Sequence, residues 1–255
     1  MVIMVGMDTT TWQQREAGGF LWLRSPVLAA IDGVEHLFST RVGSADTDLP
    51  GLQRVADLEG PLPTLRQIHG STIVDAESLT SAPVDADGIR ILAGDPHVAS
   101  IRTADCVPIL IADRDARVAL AIHAGWRGID AGILDRALTR AEAAGVLRAD
   151  LRVALGPAAG GCCYEVGPEV LDSITLSCRV PATEISRPSS GDRVRIDLRR
   201  ALSARLQAAG VQPSSIDTAR HCTICDARRF YSYRRDGAPT GRLMAMVALG
   251  RGPKP

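Results

Sequence analysis

Two apolar runs, "VPILIA" and "RVALAIHA", flank the acidic turn sequence "DRDA" at residues 113–116. Such a pair reads as a β-hairpin. A turn centred on those residues pairs Ala112 with Arg117 and sets Cys106 directly opposite His123. Opposed residues share one face of a sheet, with Cβ atoms about 4.5–5.5 Å apart. A thiol and an imidazole at that separation suit a shared metal ion or a nucleophile–base pair. A buried cysteine beside a backbone-bonded histidine fits the same spacing. Pro108 restricts the first strand to an edge or to a position where its backbone needs no donor.

Further β-rich segments surround the hairpin: "STIVDA", "HVASIRTA", "LRVALG", "FYSYRR" and "RLMAMVAL". Several strands follow one another directly through turns, and strands outnumber helices. That arrangement implies an α+β fold with antiparallel pairing, not a doubly wound βαβ fold. Two helices stand out. "IDAGILDRALTRAEAAG" places Ile133, Leu134, Ala137, Leu138 and Ala141 on one stripe and stops at Gly145. "DLRRALSARLQAAG" begins at an Asp197 N-cap and stops at Gly210. "RVPATEISRPSSGDR" (179–193) reads as a long loop that does not divide the chain. Residues 1–255 are therefore expected to form a single domain, with a flexible N-terminal segment and a short C-terminal tail.

The 255 residues, 45% of them hydrophobic, suffice for a sizeable core. Lysine plus arginine and aspartate plus glutamate are both 29, so no bulk attraction to nucleic acid or an anionic membrane follows. No apolar run reaches the length of a membrane span, and the opening residues lack a signal-peptide pattern. A cytoplasmic location is the expectation, with the six cysteines free for ligation or catalysis.

"RQIHGSTIV" adds His69 before a β-like segment. His69, Cys106 and His123 would make a His₂Cys set with a fourth position open, the arrangement of a catalytic zinc. Asp105 would face away from Cys106 in a regular strand, and either orients a ligand or caps a turn. "GWRGIDAG" leads into a helix, where free N–H groups and Arg127 suit a phosphate. Tyr164 offers a stacking face, and Arg234 and Arg235 are candidate pocket cations. The adjacent Cys162 and Cys163 read as structural. The Cys-x-x-Cys of "HCTIC" (221–225) lacks a second such pair, which argues against a four-ligand zinc site. His36 and His97 have no partner in the sequence.

Taken together, "RQIHG", "DADGI", "TADCVPILIAD", "AIHAGWRG", "LGPAAGGCCYEVG" and "FYSYRRDGAPTGR" resemble the YfiH-like, laccase-domain family over roughly His36 to Leu249. Members of that family are described as polyphenol oxidases, as purine nucleoside phosphorylases with adenosine deaminase activity, and as peptidoglycan editing factors. The resemblance implies an α/β/β/α arrangement of mixed sheets, with zinc on His69, Cys106 and His123. It also implies purine nucleosides and phosphate as small-molecule partners, with no obligate protein partner inferred. "FSTR" brings Arg41 forward as a substrate residue, although the segment after it lacks the family's Gly-Gly-Val-Ser continuation.

A zinc-dependent purine nucleoside phosphorylase and adenosine deaminase is the leading expectation. The alternatives are a copper-dependent, laccase-like polyphenol oxidase and a metal-free Cys106–His123 hydrolase that edits peptidoglycan precursors. A domain that binds a nucleotide or protein and keeps a metal only for stability is a fourth.

Overall fold

The computed structural model describes residues 12–43, 48–58, 60–79 and 82–250. The signal-peptide and C-terminal-tail expectations fall largely on residues 1–11 and 251–255, outside that set, as does part of the atypical segment after Arg41.

Two β-sheets carry the fold. One is antiparallel throughout, in the order Gln13–Ala17, Phe20–Arg24, Val34–Ser39, Leu243–Leu249 and Ala99–Thr103. The other is mixed, in the order Ile216–Thr218, Leu151–Leu155, Val107–Asp113, Val118–Ala124, Gly88–Leu92 and Ile73–Asp75. Its two outer pairs are parallel and its three inner pairs antiparallel. Every residue of Val107–Asp113 and Val118–Ala124 is buried, because both faces of these strands are covered.

Side-chain alternation sorts those residues into two cores. Val107, Ile109, Ile111, Val118, Leu120 and Ile122 pack with the helices Ile133–Glu142, Pro168–Cys178 and Leu198–Ala208. Leu110, Ala112, Ala119, Ala121 and Ala154 face the other sheet, where Phe38, Ile101, Ala245 and Val247 meet them. Four alanines on one face against larger residues opposite let the two sheets interdigitate. Outside the antiparallel sheet, Phe20, Trp22, Leu37 and Met246 cover Leu52 of the short helix Leu49–Val55. The layers run helix, sheet, sheet, helix, as the α+β reading required.

Both expected helices are present. The buried residues of Ile133–Glu142 are the five of the predicted stripe, and Gly145 takes a φ of +76° just beyond. The Asp197 carboxylate accepts from the Arg199 and Arg200 amides, and Gly210 has a φ of +98°.

Two expectations are corrected. The hairpin pairs Ala112 with Ala119 and Pro108 with His123, a register displaced by two residues from the predicted one. The cause is Asp113. This carboxylate is fully buried and accepts hydrogen bonds from the Arg117 amide at 2.6 Å and the Val118 amide at 2.9 Å. It thereby closes the turn on residues 114–117, so Asp113 ends the strand instead of opening the loop. A shift of two keeps each side chain on its face. Pro108 is accommodated because its pair with His123 is not hydrogen-bonded, His123 N donating to Asp87 O at 2.7 Å. On its other side it faces Gly156, just past the strand Leu151–Leu155, and the Gly156 amide donates to Pro108 O at 2.8 Å. Second, "FYSYRR" is not a strand: Ser232 caps the helical turn Tyr233–Asp236 by accepting from Arg235 N at 3.2 Å. The flexible N-terminal segment was expected without fixed bounds, and residues 1–11 lie outside the described set. Gln13–Ala17 and Phe20–Arg24 form a hairpin over Gly18 and Gly19, whose φ values of +57° and +82° suit the twist of a two-residue turn. Among the described residues no helix is long and apolar enough to cross a membrane.

Asp113→Ala leaves the Arg117 and Val118 amides without their acceptor and should lower unfolding free energy by about 3 kcal/mol. Urea denaturation checks this; wild-type stability in that variant would show that the turn is set elsewhere.

Candidate metal centre and cavity

Ala104, Asp105 and Cys106 carry the chain from strand Ala99–Thr103 in one sheet to strand Val107–Asp113 in the other. Such a short crossing needs a sharp bend. Asp105 supplies it, with a φ of +97° that a non-glycine residue adopts only when held. Three donors hold its carboxylate: Thr223 Oγ1 at 2.5 Å, Ser232 Oγ at 3.0 Å and Arg234 N at 2.7 Å. Asp105 is thus a turn clamp, one of its two expected roles, and it fixes Cys106 at the mouth of the crossing.

The two histidines depend on a different carboxylate. Asp87 is fully buried and accepts from Ile68 N at 3.2 Å, His69 N at 3.0 Å and Gly70 N at 2.6 Å. These amides curl the 68–70 loop around the carboxylate and keep His69 at a φ of +61°. His123 Nδ1 lies 2.8 Å from Asp87 Oδ1, so it is the donating nitrogen and Nε2 is left to face Cys106. The ligand atoms of His69, Cys106 and His123 all lie within 4.8 Å of one another. The triad therefore assembles as expected, although Cys106 stands diagonal to His123, beyond the end of its strand. Gly125 leaves the room required: a Cβ there would meet His69 Cδ2 at 2.9 Å and Cys106 Sγ at 3.0 Å.

Electrostatics couple the group. Burial alone would weaken ionisation of Asp87, but hydrogen bonds from His123 and the Gly70 and His69 amides outweigh it and hold its pKa below the usual carboxylate range. Burial opposes the Cys106 thiolate too, yet contacts with His123 and His69 bring that thiol down to about 7. Burial would likewise discharge His123, but Asp87 and Cys106 raise it to about 9. Two soft-to-borderline nitrogens, one sulfur and a fixed tautomer match a three-ligand zinc-type centre.

The triad opens into a cavity of about 670 Å³. Arg102, Arg127, Arg234 and Arg242 line it, with Trp126, Tyr164 and Tyr233 as aromatic walls. Arg127 lines the cavity and stacks on Trp126, with Cζ 4.4 Å from the ring centroid. Tyr164 and Arg234 also line the cavity, with Arg234 Cζ 5.1 Å from the Tyr164 centroid. Two other expectations are not met. Arg41 is exposed and outside the cavity lining, stacked on Tyr231 at 4.9 Å and donating to Ala227 O at 2.8 Å. Arg235 instead donates to the Thr223 and Phe230 carbonyls at 2.7 and 3.0 Å. His36 and His97 serve local structure. Ser25 N donates to His36 Nε2 at 2.9 Å, and His97 Nδ1 lies 2.6 Å from Asp95.

Sequence reasoning missed Asp87, although it lies within "DADGI", and missed Arg102 and Arg242. It also set aside a group that the structure gathers: Cys162, Cys163, Cys222 and Cys225, whose sulfurs lie within 4.8 Å of one another.

An α/β/β/α fold with a His₂Cys triad at the crossing between its sheets defines a laccase-domain protein. The chain belongs to that family, described as multi-copper polyphenol oxidoreductase laccase, whose model matches residues 50–250. It is 37% identical over 186 residues to a purine nucleoside phosphorylase of Pseudomonas aeruginosa, covering 72% of this chain and 73% of that one. It is 30% identical to a purine nucleoside phosphorylase of Synechocystis, covering 91% and 94%. An adenosine deaminase from an unknown prokaryotic organism is 35% identical over 151 residues, 59% of this chain and 57% of that one. The crystal structure of YlmD from Geobacillus stearothermophilus superposes with a TM-score of 0.80 at 28% identity, covering 94% of this chain and 98% of that one.

Asp87→Asn should weaken the affinity of the triad for added zinc about 10–100-fold with all three ligand residues unchanged, as measured by chelator competition. An unaltered affinity would remove Asp87 from the site's support. The pH dependence has a definite sign. Between pH 7 and 9 the metal-free pair is thiolate and imidazolium, so binding releases the His123 proton. Affinity should rise about tenfold per pH unit up to about 9, and more steeply below 7 where the thiol is also protonated. Competition titrations flat from pH 6 to 9 would contradict this.

Proposed function

We propose that the protein is a zinc-dependent purine nucleoside enzyme that carries out phosphorolysis to base and ribose 1-phosphate and deaminates adenosine. One observation carries this reading: the His₂Cys triad, with its tautomer held by Asp87, stands in an arginine-lined cavity of about 670 Å³. The names of the P. aeruginosa and Synechocystis relatives support phosphorolysis, and that of the third relative supports deamination.

His69, Cys106 and His123 would hold the zinc, which when bound supplies a Lewis acid and can acidify water. The rest falls to the chain. Arg127, Arg102, Arg234 and Arg242 bind and orient phosphate, since guanidinium groups match its oxygens bidentately. Tyr164 and Tyr233 form the apolar walls against which a purine packs. Asp105 keeps Arg234 and Cys106 in register and is already occupied by three donors, so it positions and does not transfer protons.

The family description names copper. A multi-copper centre needs several histidines in one place. Among the described residues the triad supplies two, and the other candidate group is all cysteine. Zinc on the triad is therefore the better fit. The thiolate–imidazolium poise of Cys106 and His123 favours one other reading, a metal-free hydrolase acting on peptidoglycan precursors. Metal analysis together with a nucleoside panel separates the two.

Purified protein incubated with adenosine, inosine and guanosine, with and without phosphate, should yield free base only when phosphate is present, and inosine from adenosine without it. His69→Ala, Cys106→Ala and His123→Ala should each abolish both reactions. Arg127→Ala should raise the KM for phosphate about tenfold or more with zinc retained. Full turnover by the Cys106→Ala protein would sink the proposal.

A further inference from the structure

Four further cysteines, Cys162, Cys163, Cys222 and Cys225, flank Tyr164 and Thr223 in the sequence and cluster in space. Cys162 and Cys163 occupy a tight turn in which the amides of Cys163 and Tyr164 both donate to Gly160 O at 2.9 Å. Adjacent side chains diverge in a strand, but this turn brings both thiols to one side. Cys222 and Cys225 lie three residues apart in a second turn, which Asp226 N closes by donating to Cys222 O at 3.1 Å. That spacing brings them together too. A bridge between Ala158 and Cys222 and the bond from Thr223 N to Ala158 O at 3.0 Å hold the two turns face to face.

The outcome is four free thiols with Sγ atoms all within 4.8 Å, including Cys163–Cys225 at 3.0 Å and Cys162–Cys225 at 3.3 Å. A tetrahedral zinc with Zn–S bonds of about 2.3 Å has S···S edges of about 3.8 Å, inside this span. The surroundings suit a negatively charged centre. Gly160 N donates to Cys222 Sγ at 3.3 Å. A Cβ on Gly160 would meet Arg199 Nη2 at 3.0 Å and Cys162 Sγ at 3.4 Å, which puts a buried guanidinium against the cluster. Among the described residues Arg199 pairs with one carboxylate, Asp197, at 3.7 Å, and it donates to the Ala219 and His221 carbonyls. Exposed Cys162 and Cys225 leave an entry path from solvent.

We propose that Cys162, Cys163, Cys222 and Cys225 form a second metal site, a closed tetrathiolate that binds one zinc ion. Binding exchanges four S–H protons, released to solvent, for four Zn–S bonds, and leaves a centre of net charge −2 facing Arg199. With all four positions taken by sulfur, the site has no place for substrate, and its role is structural. It joins the turn before Tyr164 to the turn that carries Thr223, so it braces a cavity wall and, through Thr223, the Asp105 clamp. Nothing in this depends on which reaction the cavity performs.

The test uses the full chain and cobalt(II) or zinc alone. The Cys106→Ala protein, which lacks the triad thiol, is stripped of metal under reducing conditions and titrated with cobalt(II). It should take up about one equivalent with intense tetrahedral d–d bands and thiolate-to-cobalt charge transfer. Zinc should abolish both signals, and so should adding Cys162→Ser and Cys225→Ser. These two thiols are exposed, so the substitutions spare the core. Zinc counted in protein purified without chelator should fall from about two equivalents in wild type to about one in Cys106→Ala and to about one in Cys162→Ser/Cys225→Ser. Octahedral cobalt without charge transfer in Cys106→Ala would overturn the proposal, as would a Cys163–Cys225 disulfide in protein kept under reductant. Zinc content and cobalt spectrum are read without any nucleoside, so absence of turnover bears on the cavity reading alone.

Discussion

The site depends on one buried carboxylate. Asp87 gives up its hydration completely, a cost that only strong, well-placed donors offset. It finds three consecutive amides and an imidazole, and these are the groups that place His69 and His123. Its own amide donates to Thr72 O at 3.0 Å and its carbonyl accepts from His123 N at 2.7 Å, so the main chain repeats the tie that the side chain makes. Gly128 then approaches Gly70 so closely that a Cβ would lie 2.9 Å from the Gly70 carbonyl. The loop bearing His69 is therefore trapped between Asp87 and the helix that follows Gly125. This rigidity is what a ligand from a loop needs if it is to act with one from the centre of a sheet.

Asp105 does the complementary work for the cysteine. Asp87 joins elements of the mixed sheet, whereas Asp105 joins the layer crossing to the segment 223–234. A positive φ at this residue costs about 1–3 kcal/mol and persists because three donors from that segment converge on one side chain. The segment would otherwise be irregular backbone running over the surface. The triad thus sits where two carboxylates, each holding a different stretch of chain, meet at the seam between the sheets.

The parts of this architecture that were legible in the sequence are those governed by periodicity. The stripe of Ile133–Glu142, the Asp197 cap and the apolar runs all act locally and appear as written. The triad was legible because residues two apart share a face, so an error of two in the hairpin register did not separate Cys106 from His123. That error came from Asp113, whose side chain competes with the turn for the same amides, and hydropathy carries no sign of this. "FYSYRR" has β-type composition, but Ser232 and Asp105 supply hydrogen bonds that favour a helical turn. Arg102 lies next to the end of strand Ala99–Thr103 and Arg242 just before strand Leu243–Leu249, positions where arginines are common, and only the pairing of those strands makes them cavity residues. The four cysteines were missed because ligand spacing was sought along the chain, while the two turns that converge them lie 62 residues apart, from Gly160 to Cys222.

Charge balance explains why one arrangement can resemble both a catalytic pair and a metal site. With neutral imidazoles, Asp87 and Cys106 bring two negative charges to a buried point. A proton on His123 cancels one of them, which is enough to raise that imidazole to about 9 and bring the thiol to about 7. A divalent ion cancels both and accepts three ligands at once. The poise that would suit a hydrolytic cysteine is therefore also the charge deficit that favours a divalent ion over a proton. Asp87 acts in both directions, since its charge stabilises the competing proton while its hydrogen bond fixes the nitrogen that must be free for the metal. On the zinc reading proposed above, the ion prevails because it matches both buried charges, whereas the proton matches one.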